Sequence, residues 1–239
     1  MKQDNLNEMI IEFLSLANPE HRYSSFDYCY NYFYNNNDLT KEMEKSCLEL
    51  AFYLASWGMF RGSSFLLQKS ARHFIKTVEY INSLNEDYWK IDVDNYNSEN
   101  IEKILEIYEK ISEKAVAEEG RELTLVTKIM LGVFGFVPAY DQYFCDTFRK
   151  ISGTNKKCRF RSFDKESLNI VKDFYDDNKE KVDNVSDNTY TYDFLSGEKT
   201  KLKYPKAKII DMYGFSYGLA LSNENSDSSS DQDPEKINP

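Results

Sequence analysis

The sequence predicts an all-α fold: one helical domain of roughly nine to eleven helices over residues 1–222, then a disordered acidic tail over 223–239. Three observations predict it. Apolar residues recur at helical spacing nearly throughout, the breaks fall at Asn, Gly and Pro, and only residues 189–197 alternate like a strand. With 239 residues, 41% of them hydrophobic, the chain can bury a sizeable core.

The first helix carries Leu6, Met9, Ile10, Phe13 and Ala17 on one face and breaks at Asn18-Pro19. The aromatic run Phe26 to Tyr34 follows and stops at Asn35-Asn36-Asn37. Asp38 and Thr40 can accept from free N–H groups at the start of the next helix, whose stripe is Met43, Cys47, Leu50, Leu54 and Trp57. Gly58 and Gly62 bracket a bend, and a further helix is expected to carry Phe65, Leu66, Leu67, Phe74, Val78 and Ile81. Asn97 and Glu99 open a surface helix with Ile101, Ile104, Leu105, Tyr108, Ile111 and Ala115 inward, ending near Gly120. Leu123 to Phe134 is hydrophobic nearly all round and reads as the central helix. Gly135 ends it, Pro138 delays the next, and a helix starts near Asp141 with Tyr140, Phe144, Phe148 and Ile151 inward. Leu168, Val171, Phe174 and Tyr175 mark another. A small β-hairpin is expected near 189–202, and Pro205 suits the first turn of a last helix with Ile209, Tyr213, Tyr217 and Ala220.

No stretch approaches the roughly 18 consecutive apolar residues of a membrane span, and the first residues are polar, so a cytoplasmic protein without membrane contact is expected. Cys29, Cys47, Cys145 and Cys158 lack paired metal-site spacing and, with only two histidines, predict free thiols and no metal or other cofactor. The net charge of −10 argues against a nucleic-acid binder when taken whole. Its distribution matters more. The tail from Asn223 holds five acids and one lysine, which account for four of the ten net negative charges. Two segments run the other way: Arg149, Lys150, Lys156, Lys157, Arg159 and Arg161 surround Gly153, and Lys199, Lys201, Lys203, Lys206 and Lys208 flank Pro205. Such clusters read either as solvated surface or as phosphate contacts.

The chemically pointed stretch runs from Lys128 to Asp141, where an apolar helix, a Gly/Pro bend and an aspartate at the next helix start follow one another. Here the sequence resembles the helix-hairpin-helix DNA glycosylase superfamily, over about 30 residues from Gly120 to Asp141. The resemblance implies that Asp141 stabilises positive charge developing on a sugar as a glycosidic bond breaks. It also implies a Schiff-base role for Lys128, which stands near the position of that lysine in some members. Members usually have two closely spaced glycines in the hairpin, whereas Gly120 stands alone here. No cysteine cluster matches the iron-sulfur centre of others.

A base to be excised must leave the stack and enter a pocket with planar walls. The second wall is sought around Trp57, Arg61, Ser64 and Gln68, where an indole, a guanidinium, a hydroxyl and an amide adjoin two glycines; helical spacing would put the last three on one face. Tyr140 is a further candidate substrate contact, and Arg149 to Arg161 a candidate DNA-backbone contact. Each has a plainer reading: Asp141 as an N-cap, Lys128 as a snorkelling surface lysine, Trp57 as core and His73 as surface. Two functions therefore stand at this point: a DNA glycosylase that flips and excises a modified or damaged base, in repair or anti-phage defence, and a non-catalytic helical scaffold or protein-binding module.

Overall fold

The computed structural model describes residues 6–116, 122–153 and 160–230, with the backbone alone for 122 and 225–230. Its first helices follow the apolar stripes. Helix α1 (Leu6–Leu16) buries Leu6, Ile10 and Phe13, and α2 (Ser25–Asn35) buries Phe26, Cys29, Tyr30 and Phe33. Helix α3 (Met43–Ser56) follows an Asx turn in which Asp38 Oδ1 accepts the N–H groups of Thr40 and Lys41. Its stripe Cys47, Leu50 and Leu54 is buried, and Trp57 sits at its C-terminus.

The segment after α3 departs from expectation. The periodic residues from Phe65 onward do not form one helix: they divide into 3₁₀ turns Phe65–Gln68 and Ala71–Phe74 before α4 (Ile75–Asn82). Lys69 and Ser70 are extended, and the Ser64 hydroxyl accepts from Leu66 N–H, which closes the first turn locally. Hydrophobic spacing alone does not register such breaks.

Helix α5 (Ser98–Ala115) is capped by Asn97, whose side chain accepts Asn100 N–H at 2.8 Å. Its buried face is Ile101, Ile104, Ile107, Ile111 and Ala115, so Ile107 replaces the expected Leu105 and Tyr108, which are half-buried. Gly120 lies outside the described residues. Helix α6 (Glu122–Phe134) is the expected centre, packing against α2, α3 and α5. It ends at Gly135 with φ 73°, and α7 (Gln142–Ser152) begins behind Asp141.

Helix α8 (Lys165–Asp177) is followed by α9 (Lys179–Asn188), which was not foreseen because its sequence is almost wholly polar and buries only Val182 and Ser186. The expected hairpin forms from β1 (Tyr190–Tyr192) and β2 (Lys199–Lys203), antiparallel, with Tyr190 opposite Lys203 and Tyr192 opposite Lys199. Side chains of α2 pair with β1: Asp27 accepts Tyr192 N–H at 3.0 Å and Asn31 donates to Tyr192 carbonyl at 2.8 Å.

Helix α10 (Lys206–Ser230) follows Pro205 and continues past residue 222, where the tail was expected to begin; residues 231–239 lie outside the described set. Its first free N–H groups, on Lys206 and Ala207, donate to the half-buried carboxylate of Asp92, so a distant side chain supplies the cap. Helix α10 lies directly on α7 because Gly214 and Gly218 share one face. A Cβ on Gly218 would stand 2.2 Å from Tyr143 carbonyl oxygen, and one on Gly214 would stand 2.4 Å from the Phe144 ring. The described residues thus form ten α-helices and one two-stranded sheet, and no helix among them is long and apolar enough to cross a membrane.

Candidate functional site

The bend between α6 and α7 is held from two sides. On α6, the Thr124 hydroxyl donates to Tyr140 carbonyl at 3.0 Å, and Thr127 Oγ1 accepts Tyr140 N–H at 2.8 Å while donating to Leu123 carbonyl. From α10, Asp211 Oδ1 accepts Ala139 N–H at 3.0 Å. These contacts fix the entry to α7, where Asp141 caps the helix by accepting Phe144 N–H at 3.1 Å.

One oxygen of Asp141 makes the cap, and the other faces Lys128. Lys128 Nζ lies 3.1 Å from Asp141 Oδ2, with side-chain exposures of 5% and 16%. Lys128 is therefore not a snorkelling surface residue. It sits one helical turn after Thr124 on α6, and that spacing carries its amine to the start of α7. Its ammonium is also 5.0 Å from the centroid of the Trp57 ring.

Trp57 is half-buried rather than core. Tyr23 stacks parallel to it at 5.4 Å, and the Arg22 guanidinium lies 5.5 Å from its ring while donating to Ser56 carbonyl. Its indole Nε1 is buried with no hydrogen-bond partner among the described residues. Next to it, Gly58 adopts φ 75°, and a Cβ there would stand 2.6 Å from Arg61 Nε. The missing side chain lets Arg61 fold back over the turn.

These groups line a cavity of about 400 Å³, with Trp57, Tyr143, Phe215 and Leu219 as apolar wall and Arg22, Arg61, Lys128 and Asp141 as charged groups. Three cations meet one carboxylate there, in a chain of net charge −10. A second hollow, of about 370 Å³, lies between α2, α4 and the 86–90 turn. Its charged groups, Glu86 and Lys90, are exposed and paired together at 3.7 Å, and Trp89 Nε1 already donates to Val133 carbonyl. That hollow offers no buried reactive group, so the first cavity is the better candidate.

Of the predicted site residues, the fold brings together Asp141, Lys128, Trp57 and Arg61. It does not bring Ser64, Gln68 or Tyr140 to the cavity. The Ser64 hydroxyl donates to Met59 carbonyl, Gln68 is exposed at the end of a 3₁₀ turn, and the helical face that would have aligned them with Arg61 does not exist. The Tyr140 ring is wholly in the core, 5.2 Å from Phe144 and Phe163, with its hydroxyl on Ser167.

The basic clusters are largely committed elsewhere. Arg149 pairs with Asp146, Lys150 lies 5.4 Å from the Tyr217 ring, and Arg161 is exposed; Lys156, Lys157 and Arg159 lie outside the described residues. Lys203 pairs with Asp187 and Lys206 with Asp94, whereas Lys208 is buried against Asp211. His73 is half-buried, its Nε2 2.9 Å from Ala115 carbonyl at the end of α5. Reading the sequence missed Arg22, Tyr143 and Phe215 as cavity residues and Asp211 as a tether. Tyr143 alone carried a signal, two residues beyond Asp141.

Chemically, the cavity holds a buried amine in contact with a carboxylate, beside an aromatic wall and two guanidinium groups. A lysine so placed can attack an electrophilic carbon once its proton passes to the carboxylate, and the carboxylate can stabilise developing positive charge. No protein-family model matches the chain, and neither the curated proteins nor the solved structures compared with it show a significant match.

Proposed function

We propose that this protein is a DNA glycosylase acting on a modified or damaged base. The observation that carries the reading is the Lys128–Asp141 pair, 3.1 Å apart and opening into a cavity walled by Trp57. In the proposed reaction an extrahelical base enters the cavity and its N-glycosidic bond breaks with the electron pair leaving on the base. The Asp141 carboxylate stabilises the positive charge gathering on the sugar. The Lys128 amine, its proton passed to Asp141 or to water, then bonds to C1′ of the sugar, and the C1′–O4′ bond breaks with its electron pair leaving on the protonated O4′, so that a Schiff base forms between Lys128 and the opened sugar. The contact between the two side chains gives Lys128 a larger part than its spacing in the sequence suggested. Arg22 and Arg61 supply cations for the flanking phosphates.

Oligonucleotides carrying uracil, alkylated, oxidised, hydroxymethylated or glucosylated bases test the reading, with release scored as alkali-labile abasic sites. Borohydride should trap a covalent adduct with the parent and none with Lys128→Met. The reading fails if every base remains in place, or if Asp141→Asn releases base as fast as the parent. One observation favours the alternative of a non-catalytic binding module: Phe194 and Leu195 at the hairpin tip are 71% and 92% exposed. A folded protein with no affinity for DNA even at low salt would decide for that alternative.

A further inference from the structure

Lys208 and Asp211, one turn apart on α10, form a second lysine–aspartate pair beside the first. The Nζ–Oδ2 distance is 2.7 Å, and Lys208 is 1% exposed. Its ammonium lies 5.3 Å from the same Trp57 ring that Lys128 contacts, and 4.8 Å from Phe26. Stability does not explain such a pair. Desolvating both ions costs several kcal/mol, and well-packed apolar residues of similar volume often serve as well or better.

What apolar residues could not do is accept the Ala139 N–H. That bond, from Asp211 Oδ1 at 3.0 Å, holds the middle of the Gly135 to Asp141 bend, and Ala139 carbonyl in turn accepts Asp141 N–H at 2.8 Å. With Thr124 and Thr127 gripping Tyr140 from α6, the peptide units before Asp141 are pinned by two helices, and Asp211 is the tether from the α10 side. Lys208 balances the charge of that tether in a place water does not reach.

We infer that Asp211, charge-balanced by Lys208, is a positioning residue for the candidate site, fixing the bend that presents Asp141 to Lys128. The inference rests on the glycosylase reading for its consequence in catalysis, but not for its structural content. A displacement of reacting groups by about 1 Å costs on the order of a hundredfold in rate, so a tether two residues from Asp141 is well placed to matter.

Two double variants separate positioning from packing. Lys208→Met/Asp211→Asn removes both charges and keeps a side-chain oxygen for the Ala139 N–H; Lys208→Met/Asp211→Leu removes both charges and the acceptor. The readouts are kcat and KM for base release and the carbon-13 chemical shift of the Asp141 carboxyl at one fixed pH, which reports its contact with Lys128. The Leu variant is expected to lose roughly tenfold to a hundredfold in kcat with KM within about twofold, and to move the Asp141 carboxyl resonance. The Asn variant is expected to restore both. An unchanged Asp141 resonance in the Leu variant, or equal disturbance in the two variants, overturns the inference. If the Leu variant does not fold, Asp211→Glu, which keeps the charge but displaces the carboxylate, takes its place and must move the same resonance. If no oligonucleotide is a substrate, the glycosylase reading falls while the Asp141 resonance still decides whether Asp211 positions Asp141.

Discussion

Lys128 Nζ and Asp141 Oδ2 are 3.1 Å apart, but the pair is asymmetric: the lysine side chain is 5% exposed and the aspartate 16%, with its second oxygen on Phe144 N–H. Removing the aspartate charge therefore strands the more deeply buried partner. Asp141→Asn preserves the helix cap, since Asn caps as well as Asp, so its stability loss reports the unpaired lysine. Breaking a buried pair from one side costs about 3–5 kcal/mol, and Lys128→Met/Asp141→Asn is expected to recover most of it. Activity should behave differently, falling about 10² to 10⁴-fold in both variants. Denaturant unfolding beside base-release assays checks this; a double variant as unstable as Asp141→Asn would deny that the pair is the source of the loss.

At the cavity rim, Gly58 does two things that Ala cannot. It holds φ 75°, which costs an L-residue about 1–2 kcal/mol, and it leaves room for Arg61 Nε where a Cβ would come within 2.6 Å. Gly58→Ala should lower the melting temperature by about 2–8 °C. Because the Arg61 side chain can swing away, the mutant should also lose as much DNA affinity as Arg61→Ala, which itself should be nearly neutral for stability. Affinity equal to the parent's would show that Arg61 does not need its present place.

These two predictions rest on features of different legibility. The stripes of α3, α5 and α6 appear directly in the sequence because one helix face meets one core, and Pro138 before Asp141 marks a helix start by local sterics. Lys128 and Asp141 were found because their separation is spanned by a single helix and a bend. Ser64 and Gln68 were misplaced because apolar spacing continued through Lys69 and Ser70, where the backbone is extended and the helix does not form. Tyr140 was misassigned because a position beside a catalytic candidate says nothing of which side of the bend its ring takes. Asp211 and Arg22 reach the site from α10 and from the turn before α2, through tertiary contacts that no local spacing encodes.

On the proposed reading, the cationic cavity should make DNA affinity salt-dependent in a residue-specific way. Each phosphate contact contributes about −0.9 to the slope of log K against log salt on duplex DNA. Arg22→Ala and Arg61→Ala should each reduce the magnitude of that slope by about 1, without changing which base is preferred. Fluorescence anisotropy at several salt concentrations measures it. Slopes identical to the parent's would place the phosphates elsewhere, with exposed Arg161 the next residue to test.

Stability should decline from mildly acidic to neutral pH because two carboxyl groups titrate late. Burial pushes Asp27 up to about 7, against the opposing effects of Tyr204, the Tyr192 N–H and Lys208. Burial likewise raises Asp92 to about 6, despite the N–H groups of Ala207, Val93 and Lys206. A carboxyl whose folded pKa lies above its unfolded value near 3.8 binds its proton more tightly in the native state. Its contribution is therefore full below that value and is lost as pH rises through the folded pKa, at up to about 1.4 kcal/mol per pH unit for each proton. Asp27→Asn keeps a side-chain oxygen for the Tyr192 N–H and removes the titration. Its melting temperature relative to the parent should rise from pH 5 to pH 8, by about 2–4 °C for each kcal/mol no longer lost. Parallel melting curves across that range would mean that Asp27 is ionised throughout, with Lys208 near enough to hold its charge.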